Sequence, residues 1–314
     1  MPGRKRVHVA AAVIRNPQGR ILIAKRADHQ HQGGLWEFPG GKVEPEEPVE
    51  QALSRELEEE LGIAVRQARP LIRIAHDYSD KSVLLDVWLV SGFAGEARGC
   101  EGQPIEWVVP SDLDRYPFPA ANHPIIRAAQ LPEQLLITGV ESTSFQLEAN
   151  ITRALQGGQR LFMVRDPNGD QSRMADLYGR AVKLCEPLGA NVVLNTSMEQ
   201  AHQLGAQSLH LNSRRLMALD SRGQFKGRWL SASCHNAEEL AQAARLGLDF
   251  VTLSPVLATA SHPDANPLGW EKFNALVERC PLPVYALGGV GEAQLEQAWR
   301  TGAQGIAGIS HWWF

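Results

Sequence analysis

Three glutamates, Glu56, Glu59 and Glu60, stand three and four positions apart, and in a helix that spacing sets them on one face. Three crowded carboxylates repel one another unless a cation neutralises them. Hard oxygen donors suit Mg2+ or Mn2+, and magnesium typically bridges carboxylates to substrate phosphates while keeping waters, one of which can be a nucleophile. Glu58 faces roughly the opposite side and reads as solvated. The alternative is a solvated acidic face, which is what most Glu-rich helices are. The glycine-rich approach WEFPGGK and Arg55 beside the carboxylates argue against it here.

The wider pattern, Gly41, Glu47, Arg55, Glu56, Glu59, Glu60 and Gly62, has the spacing G-x5-E-x7-R-E-U-x-E-E-x-G-U, with U apolar. It resembles the box of the Nudix hydrolases at every defined position. That resemblance implies metal binding by Glu56, Glu59 and Glu60 with help from the Gly41 carbonyl, and bracing of the loop and helix by Arg55 and Glu47. Arg55 counts with the three glutamates in the expected catalytic set. The implied reaction is attack of water on a phosphoryl group, which releases a nucleoside monophosphate and pyrophosphate from a triphosphate.

Across roughly residues 5–130 the sequence is similar to the MutT group of that family, through IAKRADHQHQGGLWEFPGGKVE, EGQPIEW and FPAANHPII. The resemblance implies an 8-oxo-dGTP diphosphatase that cleans the nucleotide pool and so avoids mutation. Arg26 resembles a basic residue near the phosphates, and Glu101 a further acidic residue at the metal site. Asn122 resembles the asparagine that reads the Hoogsteen edge of the oxidised base. An amide offers a donor and an acceptor, which matches O6 and the protonated N7 of 8-oxoguanine. Ordinary guanine lacks that proton, and a polar site left unpaired discriminates strongly. Phe38 and Phe118 would be apolar walls. Asn beside Pro is also a turn signal, and only the flanking similarity favours base recognition. Two departures bear on the fit: Lys81 stands where an arginine is expected, and Trp36 replaces a smaller apolar residue.

The elements that must position these groups follow from periodicity. VHVAAAVI, RILIAKR, PLIRIAHDY and SVLLDVWLV read as strands, EEPVEQALSRELEEELG as a helix ended by Gly62, and a second helix follows the turn-rich stretch from Tyr116 to Pro124. This is an α+β domain over residues 1–131, with LPEQ as a short linker. From residue 133 to 314 the rhythm becomes strand then amphipathic helix, with strands QLLITG, RLFMVR, NVVLN, SLHLN, WLSAS, FVTLS, PVYALGG and GIAGIS. Eight such units predict a TIM-type (β/α)8 barrel, with an open doubly wound sheet as the alternative.

The barrel half resembles the thiamin-phosphate synthase and TenI superfamily through LFMVRD, SLHLN, SASCHNAEEL, DFVTLSPVLAT, ALGGV and GAQGIAGIS. Members of that superfamily use acidic residues for Mg2+, and here Thr196 and Arg215 occupy both acidic positions. Met163 and Pro167 replace a glutamine and a lysine, Arg165 remains, and Pro255 stands where the tautomerase branch has histidine. The barrel is therefore expected to be degenerate or regulatory. His235 is either a functional remnant or structural. Gly288, Gly289, Gly305 and Gly308 fit either a phosphate site after the last two strands, for a possible phosphate ligand, or tight turns.

Composition sets the outer bounds. Of 314 residues, 44% are hydrophobic and 21% charged, which suits a globular chain with a core. A net charge of -4 gives no field to hold duplex nucleic acid, so a small nucleotide is the expected partner. Four scattered cysteines without metal-ligand spacing point to a reducing cytoplasm. The apolar run before Arg15 is too short for a membrane or secretory segment and reads as a first strand. Three further functions compete with nucleotide hydrolysis by this chain: hydrolysis of thiamin-related diphosphates, thiamin biosynthesis with the Nudix half as an accessory domain, and a barrel that senses a phosphate ligand and regulates the hydrolase.

Overall fold

A computed structural model describes residues 6–28, 32–77, 82–139, 143–166, 168–259 and 265–309. The chain divides into two compact units, Met1–Gln130 and Leu131–Phe314. In the first, the elements run β1 (Arg6–Arg15), β2 (Ile21–Lys25), β3 (Trp36–Glu37), β4 (Gly40–Lys42), α1 (Val49–Leu61), β5 (Ala64–Asp77), β6 (Ser82–Ala94), β7 (Ile105–Val108) and α2 (His123–Gln130). They form a mixed sheet in the order β3-β2-β1-β6-β5, with β4 on β1 and β7 on β2, and β1 and β6 run parallel. The two-residue β3, short β4 and β7 escape periodicity because a strand of two to four residues has no period to read.

The run AAAVI in β1 is apolar at every position because the sheet is covered on both sides. Ala10, Ala12 and Ile14 pack with Leu53, Leu57 and Leu61 of α1, whereas Ala11 and Val13 face the cluster that holds Ile125 and Ile126 of α2. Helix α1 spends its 53, 57, 61 stripe on this burial, so its charged side is left for chemistry. Gly62 ends it in the left-handed conformation at φ 68°, and its N–H donates to Glu58 O.

The second unit runs β8 (Gln134–Ile137), α3 (Ser144–Gln156), β9 (Leu161–Val164), α4 (Gln171–Cys185), β10 (Asn191–Asn195), α5 (Met198–Gln203), β11 (Ser208–Leu211), α6 (Ser213–Met217), β12 (Trp229–Cys234), α7 (Ala237–Leu246), β13 (Phe250–Leu253), α8 (Gly269–Val277), β14 (Val284–Leu287), α9 (Leu295–Arg300) and β15 (Gly305–Gly308). All eight strands are parallel and close into a barrel, with β8 between β9 and β15. The open sheet is thereby excluded. Trp229, Phe250 and Tyr285 fill the interior with Leu135, Leu161 and Met163. His210 is buried among them, its two ring nitrogens each 2.9 Å from a hydroxyl, those of Ser231 and Ser233.

LPEQ is not a free linker. Leu131 is 3% exposed in the barrel-interior cluster, Pro132 O accepts from the Tyr285 hydroxyl, and Glu133 O accepts from Ile306 N. Among the described residues no helix is long and apolar enough to cross a membrane.

Candidate active site

Strand β4 delivers Gly40 and Gly41 against the charged side of α1. A side chain at Gly41 would put its Cβ 2.2 Å from the Glu56 carboxyl carbon, so only glycine lets the backbone approach that carboxylate. Gly40 N–H donates to Glu60 Oε2 at 3.1 Å. At Gly40, φ is 142° and a Cβ would lie 2.1 Å from Ala10 O, so this glycine is required by backbone geometry.

Arg55 ties the preceding loop to the helix. Its Nε and one terminal nitrogen donate to the two Glu47 oxygens at 3.0 Å each, a bidentate pair. The same terminal nitrogen reaches Lys42 O at 3.1 Å, and the other donates to Glu56 Oε1 at 2.8 Å. Glu47 Oε2 also accepts from Glu44 N, which closes the loop on itself. The Arg55 pairing holds the Glu47 carboxyl below its ordinary range.

Glu60 is the carboxylate most altered by its setting. Burial, and then the negative charges of Glu37, Glu101 and Glu56, push its pKa up to about 8 against the pull of the Gly40 N–H. Glu37, which sequence reasoning missed, sits on β3 opposite Ala24 and is paired with Arg26. Burial raises its pKa, with Arg26 opposing. Glu59 is the outermost, at 60% side-chain exposure and 3.5 Å from Arg55, and Glu58 is exposed.

Two clefts share Arg26 and Glu37. One, of about 470 Å³, runs past Glu60 and Glu101. The other, of about 390 Å³, has walls of Val9, Leu85, Phe38 and Ile125, with Asn122 at one side and Gly40 and Gly41 at another. Asn122 is 8% exposed, and its amide has no protein partner among the described residues. Phe118 stacks on Phe38 with ring centroids 5.3 Å apart and so backs that wall. Trp36 packs edge-on against Tyr116, and Lys81 lies outside the described residues. The apolar walls on β1 and β6 were also missed, although their strands were read.

Among the described residues no three carboxylates converge closely enough to enclose a metal as they stand. Glu56 is held by Arg55 and Glu60 by Gly40, in the places where a cation would otherwise balance them. The donor set nevertheless fits a hard divalent ion: oxygen ligands only, with the negative charges of Glu37, Glu101 and Glu56 gathered around a largely buried Glu60.

In the barrel, Gly288 and Gly289 take φ of 93° and 67°, and a Cβ on either would strike the chain at Pro255–Ala258. Gly305 has the same relation to Glu133 O, and Gly308 ends β15. At Gly288, Gly289 and Gly305 the close approach of other backbone leaves no room for a side chain. His235 Nδ1 lies 2.9 Å from Ser254 O, which binds the end of β12 to β13.

Comparison with known proteins separates the two halves. The NUDIX domain family matches residues 10–128, and the thiamine monophosphate synthase family matches residues 134–311. The first half is 40% identical over 122 residues to the 8-oxo-dGTP diphosphatase of Escherichia coli K12, which covers 39% of this chain and 95% of that protein. It is also 40% identical over 124 residues to the CTP pyrophosphohydrolase of the same organism, 40% of this chain and 91% of that protein. The second half is 32% identical over 166 residues to a putative thiamine-phosphate synthase of Geobacter sulfurreducens, 52% of this chain and 78% of that protein. The chain thus joins a Nudix hydrolase to a closed eight-stranded barrel, and it belongs to the Nudix family by its first half and to the thiamine monophosphate synthase family by its second.

Proposed function

We propose that the chain hydrolyses 8-oxo-dGTP to 8-oxo-dGMP and pyrophosphate with the help of Mg2+ or Mn2+, and thereby keeps the oxidised nucleotide out of DNA. The observation that carries this reading is Asn122: a nearly buried amide without a protein partner, at the side of an apolar cleft that also borders the carboxylates' glycines. An amide at a cleft wall that no protein group engages has its donor and acceptor available to a ligand.

In this reading the base lies between the walls formed by Phe38, Val9 and Leu85, and Asn122 pairs with its O6 and N7 edge. Arg26 and Glu37 mark the junction toward the phosphates. Glu56, Glu59 and Glu60, with the Gly41 carbonyl and Glu101, are the ligands of the ion. When bound, that ion would neutralise phosphate charge and lower the pKa of a bound water. Arg55 keeps Glu56 and the loop from Lys42 to Glu47 in register with the helix.

Relatives with equal identity act on 8-oxo-dGTP and on CTP, so base choice is the point to test. The panel is 8-oxo-dGTP, dGTP, CTP and thiamin diphosphate with added magnesium, products identified, for the unaltered chain and Asn122→Ala. We expect 8-oxo-dGTP to be preferred to dGTP, and Asn122→Ala to reduce that ratio by about ten-fold or more, the worth of one discriminating polar contact. An unchanged ratio removes Asn122 from base recognition. Preference for thiamin diphosphate would instead join both halves in thiamin chemistry.

A further inference from the structure

The barrel holds a cavity of about 450 Å³ at the carboxyl ends of β9, β10 and β11, where Arg165, Asn195, Thr196 and Arg215 meet. Kinship with thiamin-phosphate synthases implies magnesium here, and the side chains present do not fit it. Thr196 Oγ1 donates to Gln200 Oε1, and both residues are buried in that contact. Arg215 brings a positive charge. Two carboxylates do border the cavity, but both are engaged as acceptors: Asp166 takes the N–H groups of Asn168 and Asp170 and lies 3.9 Å from Arg173, and Asp170 caps α4 through Arg173 N.

The cations are the groups left over. Arg165 is half-buried, and its side chain donates to one carbonyl, Thr138 O at 3.3 Å, with no carboxylate partner among the described residues. Burial without a counter-charge pulls its pKa down. The Arg215 side chain has no partner among the described residues. Asn195 Nδ2 is 3.7 Å from Met163 Sδ, a weak acceptor that a stronger one would displace. Two guanidinium forks and a loosely held amide around a cavity of drug-like size are complementary to a dianion carried on a small organic body.

We propose that this cavity binds a phosphate ester without a metal ion, with Arg165 and Arg215 supplying the positive charge that magnesium supplies in metal-dependent relatives. Pro167, another of the replaced positions, lies outside the described residues. None of Gly288, Gly289, Gly305 and Gly308 lines this cavity.

The test is calorimetric titration of the full chain with inorganic phosphate, the dianionic head of such an ester, in EDTA, which silences any metal-dependent binding by the first half. We expect saturable binding in EDTA. Arg215→Glu, at an exposed position, should weaken it at least about ten-fold, as should Arg165→Gln, each removing a charge-assisted contact. If Arg165→Gln does not fold, Arg215→Glu alone decides. No binding in EDTA, binding that needs magnesium, or binding undiminished by Arg215→Glu overturns the proposal.

Discussion

Glu60 and Glu56 share a helix face with Glu59, but the protein treats the three differently: Glu60 is half-buried under Gly40 N–H, Glu56 lies on Gly41, and Glu59 reaches solvent. If they hold the ion, Glu56→Gln or Glu60→Gln should lower kcat/KM at least about a hundred-fold, roughly 2.7 kcal/mol of transition-state stabilisation, while circular dichroism stays unchanged. Glu58→Gln should match the unaltered enzyme within about two-fold, because it faces away from the site. Equal losses at Glu58 and Glu60, or turnover that survives chelation, would refute the assignment. The adjacent glycines give a sharper contrast. At Gly41 the group in the way of a Cβ is the end of a flexible side chain, so Gly41→Ala should displace Glu56 and cost activity with under about 1 kcal/mol of stability. At Gly40 it is the Ala10 carbonyl, so Gly40→Ala should lower the melting temperature as well. Thermal melts and initial rates on both variants check the split.

At the scale of elements, the clamp between α1 and the loop before it is a single guanidinium that serves Glu47, Lys42 O and Glu56 together. Lysine cannot reproduce a fork, so Arg55→Lys should cut kcat about ten-fold or more with little change in melting temperature, its groups being partly solvated. Full activity in Arg55→Lys would show that charge alone suffices. This helix was legible in the sequence because helical geometry fixes which side chains share a face, whereas its clamp was expected only through the resemblance to the Nudix box. The barrel was legible for a similar reason, since each strand and helix repeats a local pattern. Glu37 was not, because its approach to Arg26 and Glu60 depends on how β2 pairs with β3 and how the sheet lies on α1, relations that no local period encodes. Gly288 and Gly289 were visible as special residues, but what they make room for, the Pro255–Ala258 chain, is more than thirty positions away.

For the molecule as a whole, the barrel interior carries an acid sensitivity of its own. Burial pulls the His210 pKa down from 6.5 to about 3, so the folded chain keeps this ring neutral between two serines. The unfolded chain takes up the proton below about pH 6.5 and the folded chain does not, so stability is full above that pH and declines as pH falls toward 3. At pH 5 the loss from this group is about 2 kcal/mol. Urea unfolding at pH 7 and pH 5 measures it, and His210→Gln should shrink the difference by about that amount; an unchanged difference would place the sensitivity elsewhere. Closure of the same barrel also sets an order of events during synthesis. Strand β8 sits between β9 and β15, and Gln304 reaches back to Leu131 across 173 positions of chain. A ribosome releases Met1–Gln130 first, and that half can fold as a unit long before β15 exists. Until Gly305–Gly308 emerges, the apolar strand Gln134–Ile137 keeps one backbone edge open, the kind of edge that recruits a second chain. A polypeptide arrested short of β15 would therefore carry a finished hydrolase on an unclosed partner prone to self-association.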